Sequence, residues 1–321
     1  MREILASLVL AAVALSLNTP IRADESPVAA PLPPLRVSQP PADIKQRLKL
    51  APFYEKYVSA GGYPILGSGK VSDFAMLEAA YLVNLMLVER PDVRKALIAH
   101  NTRLVVMAYN EFTTDVPEHS RMKPKKFWDR RARGLGGSPT DPVASCAEEN
   151  LLCYQGDPYH AECILIHEFA HMMHLNGVNR IDKTFDKRLR QTYENAMQAG
   201  LWKSKYAANN KNEYWAEGVQ SWFDNNRPPD HDHNHVDTRA ELIEYDPGLA
   251  KLCAEVFGNT VIRYTRPTAR KVKGHLAGFD PSKSPTFAWP EGLDEWYKQY
   301  RADKKSKERN NTSDKKPKEK S

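Results

Sequence analysis

Apolar and polar residues follow helical spacing along most of the chain. Apolar side chains recur every three or four residues at 72–89, 183–199 and 212–223, which predicts three helices. A weaker pattern of the same kind predicts a helix at 43–59. In contrast, 102–108 is short, β-branched and apolar, as is typical of a strand. We therefore expect a mainly α, α+β fold with a small β-sheet.

The first part of the chain departs from this pattern. Residues 1–23 combine Arg2 with an apolar run at 4–17, which is shorter than the roughly 20 residues that span a bilayer. We expect a cleaved signal peptide and a secreted or periplasmic protein, with an uncleaved membrane anchor as the alternative. Residues 24–42 are rich in proline and are predicted to form an extended linker.

Net charge is concentrated at the other end of the chain. Residues 301–321 contain nine basic and four acidic residues and so carry +5 of the total net charge of +6. We expect this basic tail to be disordered and to offer electrostatic contact with an anionic surface. The nearly neutral remainder, 43–300, has no basic stripe, which argues against nucleic acid binding. We assign 43–300 to one domain, in which 43–100 is a helical N-terminal subdomain, a segment that blocks the site, or part of the main fold.

The chain has four cysteines, at Cys146, Cys153, Cys163 and Cys253. An even number in an exported protein suggests disulfides, and four cysteines allow three pairings. We favour Cys146 with Cys153, which closes a short loop and leaves Cys163 for Cys253. Because the sequence has no Cys-x-x-Cys spacing, a cysteine zinc site is not expected.

The strongest chemical signal is His167-Glu168-Phe169-Ala170-His171, within a helix predicted for 159–176. Two histidines four residues apart lie on one face of a helix, about one turn apart, so both imidazoles can bind one metal ion. Zinc suits neutral nitrogen ligands. Glu168 follows the first histidine and has the position of a general base. The apolar neighbours argue against a chance match on an exposed charged helix.

A catalytic zinc site needs a third protein ligand and an open fourth position. Glu213 and Glu217 lie four residues apart on a predicted helix that is otherwise rich in aromatic residues. Acidic side chains are costly to bury there unless they are paired or bound to metal. We expect one of them to bind zinc and the other to accept a hydrogen bond from a histidine ligand. His174 is an alternative third ligand, although a histidine in this position more often supports the ligands or faces solvent.

These motifs and their order resemble a family of zinc metallopeptidases. His-Glu-Phe-Ala-His, followed about forty residues later by Tyr-x6-Glu-x-x-Ala-Glu, is similar to the family that includes the catalytic domain of anthrax lethal factor and the Pro-Pro endopeptidases. The resemblance covers about residues 160–224 and implies a zincin-like domain with one zinc ion. It implies zinc ligands at His167, His171 and Glu213, a general base at Glu168, an oxyanion-stabilising or leaving-group-assisting hydroxyl at Tyr206, and a supporting carboxylate at Glu217.

We therefore expect a secreted zinc metallopeptidase that hydrolyses a peptide or protein. One alternative is a zinc amidase that acts on cell-wall cross-links, which the basic tail would suit. The other is a non-catalytic, zinc-containing surface-binding protein, although a structural zinc site has no use for Glu168. The histidine-rich stretch 231–235 is expected to be a loop, and His233 and His235 are its candidates for a functional histidine.

Overall fold

Helices dominate the structure, which is a computed structural model. It describes residues 34–258, 260, 262–270 and 273–313. The predicted signal peptide at 1–23 and most of the linker at 24–42 lie outside these residues. None of the described helices is both long and apolar enough to cross a membrane. The α-helices are α1 (Ala42–Leu48), α2 (Asp73–Met86), α3 (Pro91–Ala99), α4 (Lys125–Arg131), α5 (Glu148–Leu151), α6 (Ile164–Met172), α7 (Asn179–Ile181), α8 (Phe185–Gln198), α9 (Lys211–Trp222), α10 (Arg239–Tyr245), α11 (Pro247–Phe257) and α12 (Leu293–Ser313), and a π-helical turn, Met173–Val178, follows α6.

Four strands form one mixed sheet in chain order: β1 (Lys56–Ala60), β2 (Tyr63–Gly67), β3 (Arg103–Met107) and β4 (Val143–Ala147). β1 and β2 are antiparallel, whereas β3 and β4 continue the sheet in parallel with β2. Beyond β4, Leu135 pairs antiparallel with Ser145 through two backbone hydrogen bonds of 3.2 and 2.8 Å. The predicted α+β class and the strand at 102–108 are confirmed.

Side chains alternate between the two faces of the sheet and so contribute to two apolar clusters. Leu104 and Val106 on β3 join the larger cluster, which also contains side chains of α2, α6, α9 and α11. Val105 and Met107 join a smaller cluster with α1 on the other face. Within the larger cluster, α6 packs against β4 and α9. The helix that carries the two histidines is therefore held between the sheet and another helix.

The N-terminal part differs from the sequence prediction. The helix expected at 43–59 ends with α1, because Lys49 adopts a left-handed conformation (φ 50°) that closes it, and β1 follows. The end of the linker also joins the fold, since the backbone of Ser38 pairs with that of Tyr57. Because β1 and β2 share a sheet with β3, residues 43–100 belong to one compact unit and not to a helical subdomain.

The C-terminal part differs as well. The sequence predicts disorder for 301–321, but α12 continues into this tail as far as its last described residue. Lysine, arginine and glutamate have high helix propensity, and α12 is anchored on α4 by aromatic packing. The ring of Phe127 on α4 lies 5.6 Å from that of Tyr297 and 5.5 Å from that of Tyr300. Residues 314–321 lie outside the described part.

All four cysteines are free thiols, so neither expected disulfide is present in the structure. Cys146 on β4, Cys163 before α6 and Cys253 within α11 are completely buried among apolar side chains. A free cysteine in such surroundings behaves as a small apolar residue. Burial raises the pKa of the Cys163 thiol to about 12, which keeps it protonated. These side chains pack the core from separate elements instead of bridging them.

Candidate metal centre

The helix α6 presents the His-Glu-x-x-His motif in a cleft. Its apolar side chains are buried against β4, α2 and α9. His167 and His171 retain 7% exposure each, and Glu168 is partly exposed. Because the two histidines are four residues apart, both imidazoles lie on one face of the helix. The apolar face of α6 thus fixes the helix, while the motif remains accessible.

Three side-chain atoms form a nearly equilateral triangle. His167 Nε2 lies 3.1 Å from Glu213 Oε2 and 3.2 Å from His171 Nε2, and His171 Nε2 lies 3.4 Å from Glu213 Oε2. Atoms that bind one tetrahedral zinc ion at about 2.0–2.1 Å lie about 3.3 Å from one another. The three side chains therefore fit a zinc ion. Within the described residues, no fourth His, Cys, Asp or Glu joins this group.

The helix α9 places Glu213 opposite the two histidines. The side-chain oxygen of Asn210 accepts hydrogen bonds from the backbone N–H groups of Asn212 and Glu213 (2.9 and 3.1 Å), so the helix begins just before the ligand. The buried indole N–H of Trp215 donates to the carbonyl oxygen of Ala170 in α6 (3.1 Å). This hydrogen bond ties together the two helices that carry the three side chains.

A buried chain of hydrogen bonds orients His167. Its Nδ1–H donates to Gln220 Oε1 (2.7 Å), and the Nε2–H of Gln220 donates to Glu162 Oε2 (2.7 Å). In this orientation the amide oxygen of Gln220 faces His167, and its amide nitrogen faces the carboxyl group of Glu162. The Nε2 atom of His167 faces Glu213 and is the atom that can bind a metal ion. The sequence analysis missed Gln220, although it lies seven residues after Glu213 on the same face of α9.

Glu217 lies behind His167, where it supports the site less directly than expected. Its Oε1 is 3.5 Å from His167 Nδ1, which is longer than an ordinary hydrogen bond. Its Oε2 accepts a hydrogen bond from Asn226 (3.1 Å) and lies 3.5 Å from His233 Nε2. Gln220 is therefore the closer partner of His167, and Glu217 forms the layer behind it.

The charged side chains of the centre shift the pKa values of His167 and Glu213. Burial lowers the pKa of His167, but the carboxylates of Glu213, Glu168 and Glu217 outweigh burial and raise it to about 10. Burial raises the pKa of Glu213, but its hydrogen bonds to His167 and His171 outweigh this and hold it well below the usual range. The three carboxylates thus place negative charge around the imidazole of His167. A divalent cation would offset this charge.

Two further side chains border the triangle. Burial raises the pKa of Glu168, which brings this carboxyl closer to exchanging a proton at neutral pH. The ring of Tyr206 lies 6.2 Å from that of His167, and its backbone N–H donates to the carbonyl oxygen of Asp232 (2.8 Å). Burial and the nearby Glu213 raise the pKa of Tyr206 above its usual value, so the phenol remains a hydrogen-bond donor.

A glycine-rich segment forms the rim of the cleft. A Cβ atom at Gly136 would lie 2.7 Å from the Cβ of His171, and one at Gly134 would lie 3.1 Å from the Cγ of Glu168. Only glycine permits so close an approach of the backbone. Leu135, between them, uses both of its backbone groups to pair with Ser145. The backbone groups of the two glycines therefore point away from β4.

Two cavities meet at the motif, and both are lined by Arg131, His167, Glu168 and Tyr206. The first cavity has a volume of about 610 Å³ and extends past Gly136 toward α8 and the start of α9. The second cavity has a volume of about 440 Å³ and extends past Gly134 toward α4 and α12. The cleft therefore continues on both sides of the triangle along the glycine-rich rim.

His174 is not part of the triangle. It lies in the π-helical turn, where its Nε2 is 3.1 Å from Asp186 Oδ1 and its ring packs between Phe185 and Trp215. Burial and the nearby charge of Lys211 lower the pKa of His174 to about 4, so the imidazole is neutral at pH 7. The structure therefore places His174 in the core beneath the motif and not among the ligands.

The histidine-rich stretch is a loop, as expected, and it contacts the site through one histidine. His233 is buried, with Nδ1 2.8 Å from Asp230 Oδ1 and Nε2 3.5 Å from Glu217 Oε2. His235 points elsewhere, since its ring packs against that of Tyr245 at 5.4 Å. His233 is therefore the histidine of this loop that supports the layer behind the metal ligands.

Comparison with known proteins adds no assignment. No model of a known protein family matches the chain, and no curated protein matches it. Any functional conclusion therefore rests on the geometry of the site.

Proposed function

We propose that this protein is a secreted zinc metallopeptidase with a zincin-like catalytic domain. The observation that carries the proposal is the triangle of His167, His171 and Glu213, whose spacing fits a tetrahedral zinc ion and which lies beside Glu168. A site with three protein ligands and an open position is typical of a catalytic zinc ion, whereas structural sites usually have four protein ligands. Export is supported by the apolar run after Arg2.

The residues around the triangle suit amide hydrolysis. The chemistry that zinc supplies in such a site is Lewis acidity, which lowers the pKa of water and polarises a carbonyl group. Glu168 has the position to take the proton of the attacking water and to return it to the leaving amine. The hydroxyl of Tyr206 is a protonated donor that can stabilise the oxyanion of the tetrahedral intermediate. The hydrogen bond that His167 Nδ1–H donates to Gln220 Oε1 keeps His167 in the tautomer that this arrangement requires.

The rim of the cleft supports a peptide as the substrate. The backbone groups of Gly134 and Gly136 point away from β4, so this edge can pair with an extended chain, as in β-strand addition. Such a chain would cross the motif and extend into both cavities. A small mixed sheet packed against the histidine helix also agrees with the zincin-like domain that the resemblance implies.

The proposal is tested by incubating the purified protein with a diverse peptide mixture and identifying the products by mass spectrometry. Glu168→Gln should retain zinc but abolish cleavage, because it removes only the base. A matched pair of variants tests the ligands: His171→Gln should lose zinc, whereas His174→Gln should retain it. If the folded, zinc-loaded protein cleaves no peptide, the peptidase proposal is wrong. Hydrolysis of a cell-wall cross-link and non-catalytic zinc binding would then be examined.

A further inference from the structure

Four arginine side chains line the second cavity: Arg130, Arg131, Arg227 and Arg301. Of these, Arg131 also borders the first cavity, so it lies where the two cavities meet. Two of them already have acidic partners, since Arg227 lies 3.3 Å from Glu162 and Arg130 pairs with Asp294. Arg131 and Arg301 instead lie near aromatic rings, 5.7 Å from Trp128 and 5.8 Å from Tyr297. Neither of these two forms an ion pair with a carboxylate in the part of the chain that the structure describes.

The acidic residues of the same cavity do not neutralise these two guanidinium groups. Apart from the proposed base Glu168, each carboxylate there has a closer partner. Glu162 is held by Gln220 and Arg227, Glu217 by Asn226, and Asp232 by His231. The cavity therefore contains two positive charges that a ligand carboxylate could pair with, and a guanidinium group is well suited to bind a carboxylate through two hydrogen bonds.

The wall that carries these arginines is fixed by contacts between α4 and α12. The guanidinium group of Arg130 lies 4.4 Å from the ring of Trp289 and 5.4 Å from that of Tyr297. At the end of α4, the carbonyl oxygen of Arg131 accepts a hydrogen bond from the hydroxyl of Tyr159 (3.1 Å). The C-terminal helix thus forms a wall of the cleft, and Arg301, the first residue of the basic tail, faces the second cavity.

The glycine-rich rim gives the cleft a direction. It runs from Gly134, at the second cavity, to Gly136, at the first. A peptide that pairs antiparallel with this rim would place its N-terminal part in the first cavity. The residues that follow the cleaved bond would then enter the second cavity, beside Arg131.

We propose that the second cavity binds a substrate carboxylate on the C-terminal side of the cleaved bond, held by Arg131 and Arg301. This inference rests on the proposed peptidase function and names its substrate class. The carboxylate belongs either to an acidic side chain or to the free C-terminus of a short peptide. Both carboxylates present the same negative charge to the arginines. Amidation of the C-terminus removes the charge of the C-terminal carboxylate but not that of an acidic side chain.

The test uses four peptide mixtures of equal length and complexity. They contain either glutamate or glutamine at the same positions, and each version has either a free or an amidated C-terminus. Charge-assisted hydrogen bonds are strong enough for a preference of about 10- to 100-fold in kcat/KM. Arg131→Gln should reduce this preference to a few-fold, Arg301→Gln should reduce it less, and both effects should weaken as salt concentration rises.

The matched control is Arg190→Gln, which makes the same change in the wall of the first cavity. It should leave the ratio of acidic to neutral cleavage unchanged. A preference that disappears on amidation identifies the free C-terminus, and one that disappears when glutamine replaces glutamate identifies the side chain. If the wild type cleaves all four mixtures equally, or if Arg190→Gln and Arg131→Gln act alike, the carboxylate proposal is overturned while the peptidase stands.

A binding measurement separates this proposal from the failure of the peptidase function. Immobilised Glu168→Gln protein, loaded with zinc, is exposed to the same four mixtures, and the retained peptides are identified. Selective retention of peptides that carry a carboxylate supports the subsite even if no turnover is seen. The double variant Glu168→Gln/Arg131→Gln should lose this selectivity. Equal retention of all four mixtures overturns it.

Discussion

Replacement of Gln220 by leucine should weaken zinc binding without touching a ligand. Gln220 is completely buried, and it joins His167 to Glu162 by two hydrogen bonds of 2.7 Å each. Leucine has a similar volume but can make neither bond. The imidazole of His167 would then lose the acceptor that selects its tautomer and fixes its plane. The perturbation therefore separates orientation of the ligand from loss of the ligand.

The size of the effect follows from the other groups nearby. Loss of such a supporting partner typically lowers metal affinity about 10- to 100-fold. Here Glu217 Oε1 already lies 3.5 Å from His167 Nδ1, so a shift of roughly half an ångström would give a replacement hydrogen bond. We therefore expect Gln220→Leu to cost about 10-fold in zinc affinity, and the double variant with Glu217→Leu to cost about 100-fold.

The assay is competition for zinc against a chelator of known affinity, at fixed pH and with folding checked by circular dichroism. Ser221→Ala is the matched control. It removes a buried polar group from the adjacent position of α9, whose hydrogen bonds go to Asn226 and to the backbone of Val236 and Glu217, and not to His167 or Glu162. It should leave zinc affinity unchanged. If Gln220→Leu and the double variant bind zinc within about twofold of the wild type, the hydrogen-bond chain does not orient His167 and the reasoning is wrong.

Three other predictions follow from separate contacts. Tyr206→Phe should lower kcat about 10- to 100-fold with zinc content unchanged, and full activity would remove its assigned role. Gly136→Ala should weaken zinc binding and peptide cleavage together, because its Cβ would lie 2.7 Å from that of His171. Chelator competition and peptide cleavage measure the two effects. Zinc affinity and cleavage equal to those of the wild type would show that the rim can move to accept the methyl group. For His174, burial depresses the folded pKa to about 4, below the ordinary value of 6.5, so protonation favours the unfolded chain. The neutral His174 should therefore contribute about 3 kcal/mol to the free energy of unfolding above pH 6.5, and this contribution should be lost as pH falls toward 4. Urea unfolding at several pH values should show that the free energy of unfolding depends less on pH in His174→Gln than in the wild type.

Helical periodicity explains which parts of the site could be predicted from the sequence. The spacing of His167 and His171 places both on one face of any regular helix, and the same is true of Glu213 and Glu217. The structure brings three of these side chains within 3.4 Å of one another, which no local pattern requires. The role of Gln220 could not be predicted, because an uncharged amide on a helix rich in aromatic residues matches no metal-site motif. Its role depends on Glu162, which lies far away in sequence.

Local patterns failed where tertiary contacts decide the conformation. The stretch after α1 has apolar residues compatible with a helix, but Tyr57 and its neighbours pair with β2 and with Ser38. β-strand formation depends on such partners more than on intrinsic preference. An even number of cysteines in an exported protein predicts disulfides, whereas in the structure packing sets their positions: Cys146 is fixed on a core face of the sheet. In both cases the missing information was the identity of the neighbouring element.

The sequence predicts the proposed chemistry of the cleft better than its substrate specificity, because the first depends on local spacing and the second on tertiary contacts. The proposed zinc ligands and base lie on two helices that are adjacent in the fold, and their spacing along each helix can be read directly from the sequence. The second cavity is instead assembled from α4 and α12, which are separated along the chain by more than half of the domain. Its arginines Arg131 and Arg301 belong to no sequence motif. A charged tail that composition alone marks as a solvated segment thus begins as part of the cleft wall, with Arg301 in the second cavity. If the carboxylate preference is found, truncation before α12 should abolish that preference more completely than it reduces zinc binding, because the ligand triangle does not depend on that helix.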